Sequence, residues 1–441
     1  MSVLYGGDIM VKTADKAEMK PAKVKNGRGK KALKVICIII LVIAIAIGAC
    51  AAISAAGSNS NLKLAKSFDK VEYTEQLVPV QDDEGDWVFT LDRELKIVQL
   101  TDVHLGGGFM SITKDANALK AVAAMLTAEK PDLVIVTGDV AYPIPFQAGT
   151  LNNQTGAKLF ANLMDTLGIY WTVCFGNHDT EPYSYYDREE ISEFYMQPEF
   201  EYCIFEKGPA DIDGFGNQVI KVENSKGVIT QALFVIDSHD YATDRLINIM
   251  SNYDNIHQNQ VDWYAQRVKA LNEANAAKGE KGTVKSMLFF HIPLPEYRDA
   301  WNEFAANGYK DTENVKYVRG MLGETGDCIY CGEGEDEMFE TVLELGSTQA
   351  IFCGHDHFNN FTVNYKGIDL NYAYSVDYLA YIGIKKKGSQ RGCTVITVNP
   401  DGSYASEDYN LYESGRYELP EELTKGVKMQ FADVEYQYFK D

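Results

Sequence analysis

Seven histidines occur in the chain, and five of them (His104, His178, His291, His355 and His357) stand just after short apolar runs of strand character. Asp102, Asp139 and Asn177 occupy the same kind of place. Together these side chains make a set of nitrogen and oxygen donors without a thiolate. Such a set suits Mn, Fe, Zn or similar ions, not an iron–sulfur cluster or a cysteine-rich zinc knot. Asp102 and His104 are two residues apart, as are His355 and His357. In extended backbone, residues i and i+2 point the same way, so each pair can face one site while Val103 or Asp356 faces elsewhere. Glycines at 138, 176 and 354 free the backbone to turn where the strands stop. Singly, each residue has a plainer use: Asp102 or Asp139 as a helix cap, His291 as a satisfied core histidine. Five strand-end motifs in one domain point instead to a metal site.

The elements that must position these groups alternate between strand and helix. Strand-like runs at 95–100, 133–136, 170–175, 218–222, 232–236, 287–290 and 350–353 are separated by helical patterns at 115–129, 157–167, 260–274 and 335–345. Gly168 suits the C-cap of the second helix. Runs at 369–376 and 394–398 read as antiparallel sheet. The alternation predicts an α/β domain whose ligands gather at the carboxyl ends of its strands.

The ordered blocks Asp102-x-His104, Gly138-Asp139, Gly176-Asn177-His178-Asp179, His291 and Gly354-His355-x-His357 resemble the calcineurin-like metallophosphoesterase superfamily. The resemblance runs from Asp102 to His357. Gly138-Asp139-Val140-Ala141-Tyr142 and His291-Ile292-Pro293-Leu294-Pro295-Glu296 are closest to its purple-acid-phosphatase-like branch. It implies a β-sandwich of two mixed sheets flanked by helices, with the metals at one edge. By position it assigns Asp102, His104, Asp139 and His357 to one ion, and Asp139, Asn177, His291 and His355 to a second, with Asp139 bridging. In purple acid phosphatases the tyrosine of the second block binds ferric iron and the first block lacks histidine. This chain has both His104 and Tyr142, so His104 is the expected ligand and a colourless protein is expected.

Two divalent ions and two aspartates leave a positively charged pocket for a phosphate dianion. Paired ions can generate hydroxide at neutral pH and clamp the phosphoryl oxygens during in-line attack. His178 is not needed as a ligand and is placed to stabilise developing charge or protonate the leaving oxygen. Asp179 could orient His178 or cap the following segment. His239 could line a substrate pocket or sit in a plain loop. Tyr183, Tyr185 and Tyr186 could form a pocket wall, and His257 reads as surface. Gly106-Gly107-Gly108 lacks a following Lys-Ser/Thr and reads as a flexible turn beside the metals. The expected activity is hydrolysis of phosphomonoesters or small phosphodiesters; a silent binding or receptor module that keeps the metal-site shell is the alternative.

Composition sets the setting. The chain has 441 residues, 46% apolar and 24% charged, as globular proteins do. Of the net charge of −22, residues 1–34 carry +6, from nine Lys/Arg against three Asp/Glu, leaving −28 on the remainder. So acidic a body should repel nucleic acid, because phosphate binding needs clustered Lys/Arg. Residues 35–56 form an uncharged run of 22, long enough to cross a bilayer as a helix. The basic stretch before it places the amino terminus in the cytoplasm and the body outside. Ile47-Gly48-Ala49-Cys50 also resembles a lipoprotein cleavage box, which would anchor the body at Cys50 instead. The expected organisation is a basic tail (1–34), a signal anchor (35–56), a partly disordered spacer (57–90), the phosphoesterase domain (91–400) and an acidic surface extension (401–441). Cys328-Ile329-Tyr330-Cys331 could close a small disulfide loop.

Overall fold

A computed structural model of the chain describes residues 27–242, 252–324, 328–334, 336–381, 384, 390–413 and 415–427. Most of the expected basic tail and the last part of the acidic extension lie outside the described residues. Residues 1–49 and 50–441 form separate compact units. The first helix, α1 (Gly27–Ala65), starts in the former and ends in the latter. Its stretch Lys30–Ala65 is long and apolar enough to cross a membrane. Leu33, Ile36, Leu41 and Ile47 are all more than half exposed.

The end of α1 corrects the expected spacer. Ser58 Oγ donates to the Gly107 carbonyl and Asn61 Nδ2 to the Ile112 carbonyl, both at 2.9 Å, and Ala65 is fully buried. Val71 N donates to the Leu167 carbonyl, and Tyr73 donates its hydroxyl to the Pro131 carbonyl. Then β1 (Val80–Gln81) and β2 (Trp87–Leu91) pair antiparallel. The segment is polar on average, yet Ala65, Val71 and Phe89 are buried in the body, while Val78 and Val80 stay exposed.

The chain continues through β3 (Leu95–Leu100), α2 (Ile112–Glu129), β4 (Leu133–Thr137), α3 (Asn153–Leu167), β5 (Tyr170–Cys174) and α4 (Arg188–Tyr195). Next come β6 (Gln218–Asn224), β7 (Ile229–Val235), α5 (Gln258–Ala277), β8 (Lys285–Phe289), α6 (Pro295–Ala306) and β9 (Val315–Arg319). The last elements are α7 (Met338–Leu345), β10 (Thr348–Cys353), β11 (Thr362–Tyr365), β12 (Ile368–Tyr372), β13 (Gly392–Val398), β14 (Tyr404–Asn410) and α8 (Glu421–Thr424). The described strands form two mixed sheets, ordered β1-β2-β6-β7-β8-β10-β12-β11-β9 and β14-β13-β3-β4-β5.

The two sheets pack face to face. The period-2 alternation of side chains assigns each strand residue to a layer. Ile97, Leu133 and Ile135 point inward with Leu233, Met287, Phe289 and Phe352 of the other sheet. Their neighbours Val98, Val134 and Val136 point outward into a second core under α2 and α3. A third core lies between the larger sheet and α5, α6 and α7. The order helix, sheet, sheet, helix accounts for the near-continuous apolar runs of β3, β4 and β10, which are covered on both faces. It is the sandwich of two mixed sheets flanked by helices that the resemblance implies.

Gly168 closes α3 with φ 68°, as its position predicts. The carboxyl end of the chain departs from expectation. Residues 404–410 form β14, paired along all of β13, and Arg416 and Tyr417 bond Glu129 on α2. Cys328 and Cys331 are not joined to each other by a disulfide.

Candidate metal centre

Five loops at the carboxyl ends of β3, β4, β5, β8 and β10 meet at one edge of the sandwich. The first three belong to the smaller sheet and the last two to the larger, so both sheets contribute. Asp102, His104 and Asp139 follow β3 and β4, Asn177 and His178 follow β5, His291 follows β8, and His355 and His357 follow β10. The structure brings all of these together.

Their backbone is not extended. Asp102, His104, Asp139 and His355 have φ of 51°, 52°, 55° and 78°, the left-handed region that costs a non-glycine residue free energy. Asp102 and His104 therefore face one site because the chain turns twice, not because strand alternation continues. The glycines also differ from expectation. Gly138 does adopt a positive φ of 86°, but Gly176 and Gly354 do not. A Cβ on Gly176 would run into the Asp139 carboxylate, and one on Gly354 would run into the Thr101 hydroxyl and Asp102. Those two glycines permit close approach.

Hydrogen bonds fix which atoms look inward. Asp102 Oδ2 accepts from Thr101 Oγ1 at 2.8 Å and from His355 N at 3.1 Å, while its Oδ1 is buried without a hydrogen bond. That oxygen lies 3.3 Å from His357 Nε2 and 3.9 Å from His104 Nε2. Asp139 Oδ1 accepts from His178 N, leaving Oδ2 3.1 Å from His104 Nε2 and 3.2 Å from His291 Nε2. His291 Nδ1 donates to the Thr137 carbonyl at 2.8 Å, so Nε2 carries the lone pair in the neutral ring. It faces Asn177 Oδ1 at 3.1 Å and His355 Nδ1 at 3.3 Å. Asn177 Nδ2 donates to the Tyr241 hydroxyl at 2.9 Å, which turns the amide oxygen inward. Such contacts in a buried place need either a proton or a metal cation between the facing atoms.

The electrostatics agree. Burial would push the Asp139 carboxyl up, but the His291 and His178 imidazoles outweigh it and hold it well below the ordinary value. Asp102, also buried, is brought to about 2 by His357. Burial disfavours protonated His291, yet Asp139 and Asp102 raise it to about 9. His355 is pushed well down by burial and by His291. The carboxylates thus favour positive charge here, holding protons on His104, His291 and His357 that metal cations would replace. The donor set fits two divalent ions: Asp102 Oδ1, His104 Nε2 and His357 Nε2 for one, Asn177 Oδ1, His291 Nε2 and His355 Nδ1 for the other, and Asp139 Oδ2 between them.

His178 lies beside this group with its side chain 24% exposed. Its ring stands edge-on to His104 and Tyr142, with centroids 5.6 and 4.8 Å away. Its Nδ1 meets Glu181 Oε1 at 2.6 Å. Glu181, not Asp179, is thus its orienting carboxylate. Asp179 instead accepts from Asp139 N, Gly176 N and Ala141 N, tying the second loop to the third. Tyr142 stacks on His104 at 4.4 Å and donates its hydroxyl to Gln147. Burial raises its phenol above the ordinary value, so it stays protonated. Tyr183 is 42% exposed on the loop beyond His178. His239 does not join the group; its Nε2 meets Gln260 and its ring stacks on His257. The Gly106–Gly108 loop is fastened, not a flexible turn: Gly106 N and Gly107 N donate to the Asp115 carboxylate.

Asp377 went unnoticed in the sequence. Its Oδ2 lies 3.1 Å from His357 Nδ1 and its Oδ1 3.5 Å from His104 Nδ1, behind two of the proposed ligands. No histidine or glycine motif marks it. Only its place after a strand-like run could have drawn attention.

Similarity to known proteins gives the family. The profile of the calcineurin-like phosphoesterase family matches residues 95–359. A probable inactive purple acid phosphatase 29 of Arabidopsis thaliana is 27% identical, over 70% of this chain and 78% of its own. Phosphatase DCR2 of Saccharomyces cerevisiae is 30% identical, over 62% of this chain and 45% of its own. A dimetal phosphatase from Danio rerio superposes with a TM-score of 0.44 at 9% identity, covering 73% of this chain and 98% of that one. With more than half its length matched and all five blocks in order, the chain belongs to the calcineurin-like phosphoesterase family.

Proposed function

We propose that the chain is a metal-dependent phosphohydrolase that cleaves phosphomonoesters or small phosphodiesters at a paired-ion centre. The observation that carries this reading is the convergence of seven buried donors with a non-ligand histidine beside them. Two bound divalent transition ions would supply an activated water and neutralise charge on the phosphoryl oxygens. The chain's own residues do the rest. Asp139 stands between the two ion positions, and the Asn177 amide is oriented by Tyr241. His178, held through Nδ1 by Glu181, presents its other ring nitrogen to the leaving oxygen and donates a proton there. Tyr183 and the edge of Tyr142 form part of the substrate wall.

A second reading is a catalytically silent module, favoured by one observation: several relatives are named probable inactive purple acid phosphatases. Against it stand the full donor set and His178 in this chain. The assay that separates them uses aryl phosphate mono- and diesters with Mn added to chelator-stripped protein. Turnover that requires metal and falls 10²–10⁴-fold in His178→Ala, with metal retained, supports the enzyme. No turnover by metal-loaded protein supports the silent module.

We also place the chain in a membrane by residues 35–56, with the amino terminus cytoplasmic and the body outside. The uncharged run 35–56 of α1 and the basic residues before it support this. A reporter joined after Asp86 should be active only outside the cytoplasm. A cytoplasmic reporter refutes export, and lipid attached at Cys50 replaces the signal anchor with a lipoprotein.

A further inference from the structure

We propose that His239, Asp254 and His257 hold one further divalent transition ion, of the zinc class, at a site sharing no residue with the paired-ion centre. One nitrogen or oxygen of each lies within 4.8 Å of the others. Two imidazoles and a carboxylate are the donors such ions take, with bonds of about 2.0–2.2 Å.

The surrounding hydrogen bonds prepare both imidazoles as ligands. Gln260 Nε2 donates to Asn217 Oδ1 at 3.0 Å and to the Asp237 carbonyl at 2.7 Å, so both its N–H bonds are used. Its oxygen therefore faces His239 Nε2 at 2.9 Å, and also accepts from His257 N at 2.8 Å. The His239 proton sits on Nε2, and Nδ1 keeps the lone pair. On the other ring, His257 Nδ1 donates to Asp213 Oδ2 at 2.7 Å, and Nε2 points at Asp254 Oδ2 at 3.3 Å. Each ring thus has its far nitrogen held as a donor by a group outside the ligand set, the arrangement that orients metal-binding histidines. The two rings stack at 4.0 Å with 19° between planes. His239 is held there by backbone in the left-handed region, φ 62°. The acidic trio Asp82, Glu84 and Asp86 offers a contrast: Lys221 already lies 2.8–2.9 Å from all three carboxylates.

The position gives the ion a purpose. Asp254 N donates to the Asp240 carbonyl at 3.1 Å, and Tyr241 and Tyr253 bridge antiparallel with rings 5.7 Å apart. Tyr241 accepts from Asn177, and the Tyr253 ring meets His355 at 4.3 Å. An ion joining residue 239 to residues 254 and 257 clamps the two tyrosines that rest on Asn177 and His355. The ion site stands without the phosphohydrolase reading; only this consequence depends on it.

The test is metal stoichiometry of the full chain in detergent, stripped with chelator and titrated with Zn and with Co, with bound ion counted by elemental analysis. His239→Ala, His257→Ala and the double variant should each bind one equivalent fewer than the unaltered chain. The more conservative His257→Gln, checked for folding by circular dichroism, should do the same. Asp139→Asn, which disables the paired-ion centre, should still bind one equivalent, and His257→Ala should remove it. Equal stoichiometry in folded His257→Gln and the unaltered chain would overturn the proposal, leaving His257 as an imidazolium paired with Asp213 and Asp254.

Discussion

Asp102, Asp139, Asn177, His291 and His357 each commit one side-chain atom to the scaffold and aim another inward. Asp377 shows what that second contact does. Its carboxylate stands behind His357 and His104 and also accepts from the backbone N–H groups of Leu379, Ala380 and Tyr381. Asp377→Asn should weaken one metal equivalent about 10–100-fold and leave the other unchanged, read by competition with a chromophoric chelator. Asp179 and His178 should separate structure from chemistry. Asp179→Ala strands three buried N–H groups and should cost at least about 3 kcal/mol by denaturant titration. His178→Ala, at a part-exposed ring, should change stability by less than about 1 kcal/mol. Protons and ions also compete: His291 is raised to about 9 by Asp139 and Asp102, so it must lose its proton to bind an ion. Ion affinity should therefore fall about tenfold per pH unit below that value for each proton released, measured by titration calorimetry in buffers of different ionisation enthalpy. The sequence disclosed which residue types gather here, because a donor set without thiolate is visible in composition. It did not disclose Asp377 or Tyr241, whose contacts join loops far apart in the chain, nor Glu181, three residues beyond His178, which no motif marks.

At the scale of elements, the strands with near-continuous apolar runs were the legible part. β3, β4, β5, β8 and β10 are buried on both faces, and burial of that kind is written directly into Val, Ile and Leu runs. The strands that escaped notice, β1, β2, β9, β11 and β14, lie at or toward sheet edges and carry polar or mixed faces, such as Lys316, Asn364 and Glu407. α4 and α6 were missed for another reason: their starts depend on local caps, Asp187 with Glu190 in one and Pro295 in the other. The carboxyl-terminal segment illustrates how a polar stretch earns a structured place. Glu129 at the end of α2 accepts from Arg416, Tyr417 and Lys96. Burial would raise its carboxyl, but those partners outweigh it and lower it. A lowered carboxylate stabilises the fold above its unfolded value and loses that contribution as pH falls through its folded value. Glu129→Gln should thus cost about 1–2 kcal/mol at pH 7. The difference from the unaltered chain should shrink below pH ~4, followed by urea denaturation across pH.

The whole molecule combines a helix with an uncharged run at 35–56, an acidic body and a site where two sheets end together. Neither sheet alone supplies enough donors; the smaller brings Asp102, His104, Asp139 and Asn177, the larger His291, His355 and His357. That division explains why the motifs are scattered across more than 250 residues yet keep a fixed order. It also ties the integrity of the site to the packing of the sandwich, so core variants such as Phe289→Ala, which a buried aromatic makes costly by about 3–5 kcal/mol, should release metal at the same denaturant concentration that unfolds the body. Whether the centre performs hydrolysis is decided by metal-dependent turnover in the full chain. Stripped protein given Mn should hydrolyse aryl phosphate esters. Asp139→Asn should lose at least about a thousandfold together with paired-ion binding, and His178→Ala should lose about 10²–10⁴-fold while keeping its ions. Metal-loaded protein that turns over no ester, or whose turnover survives both substitutions, would contradict the account.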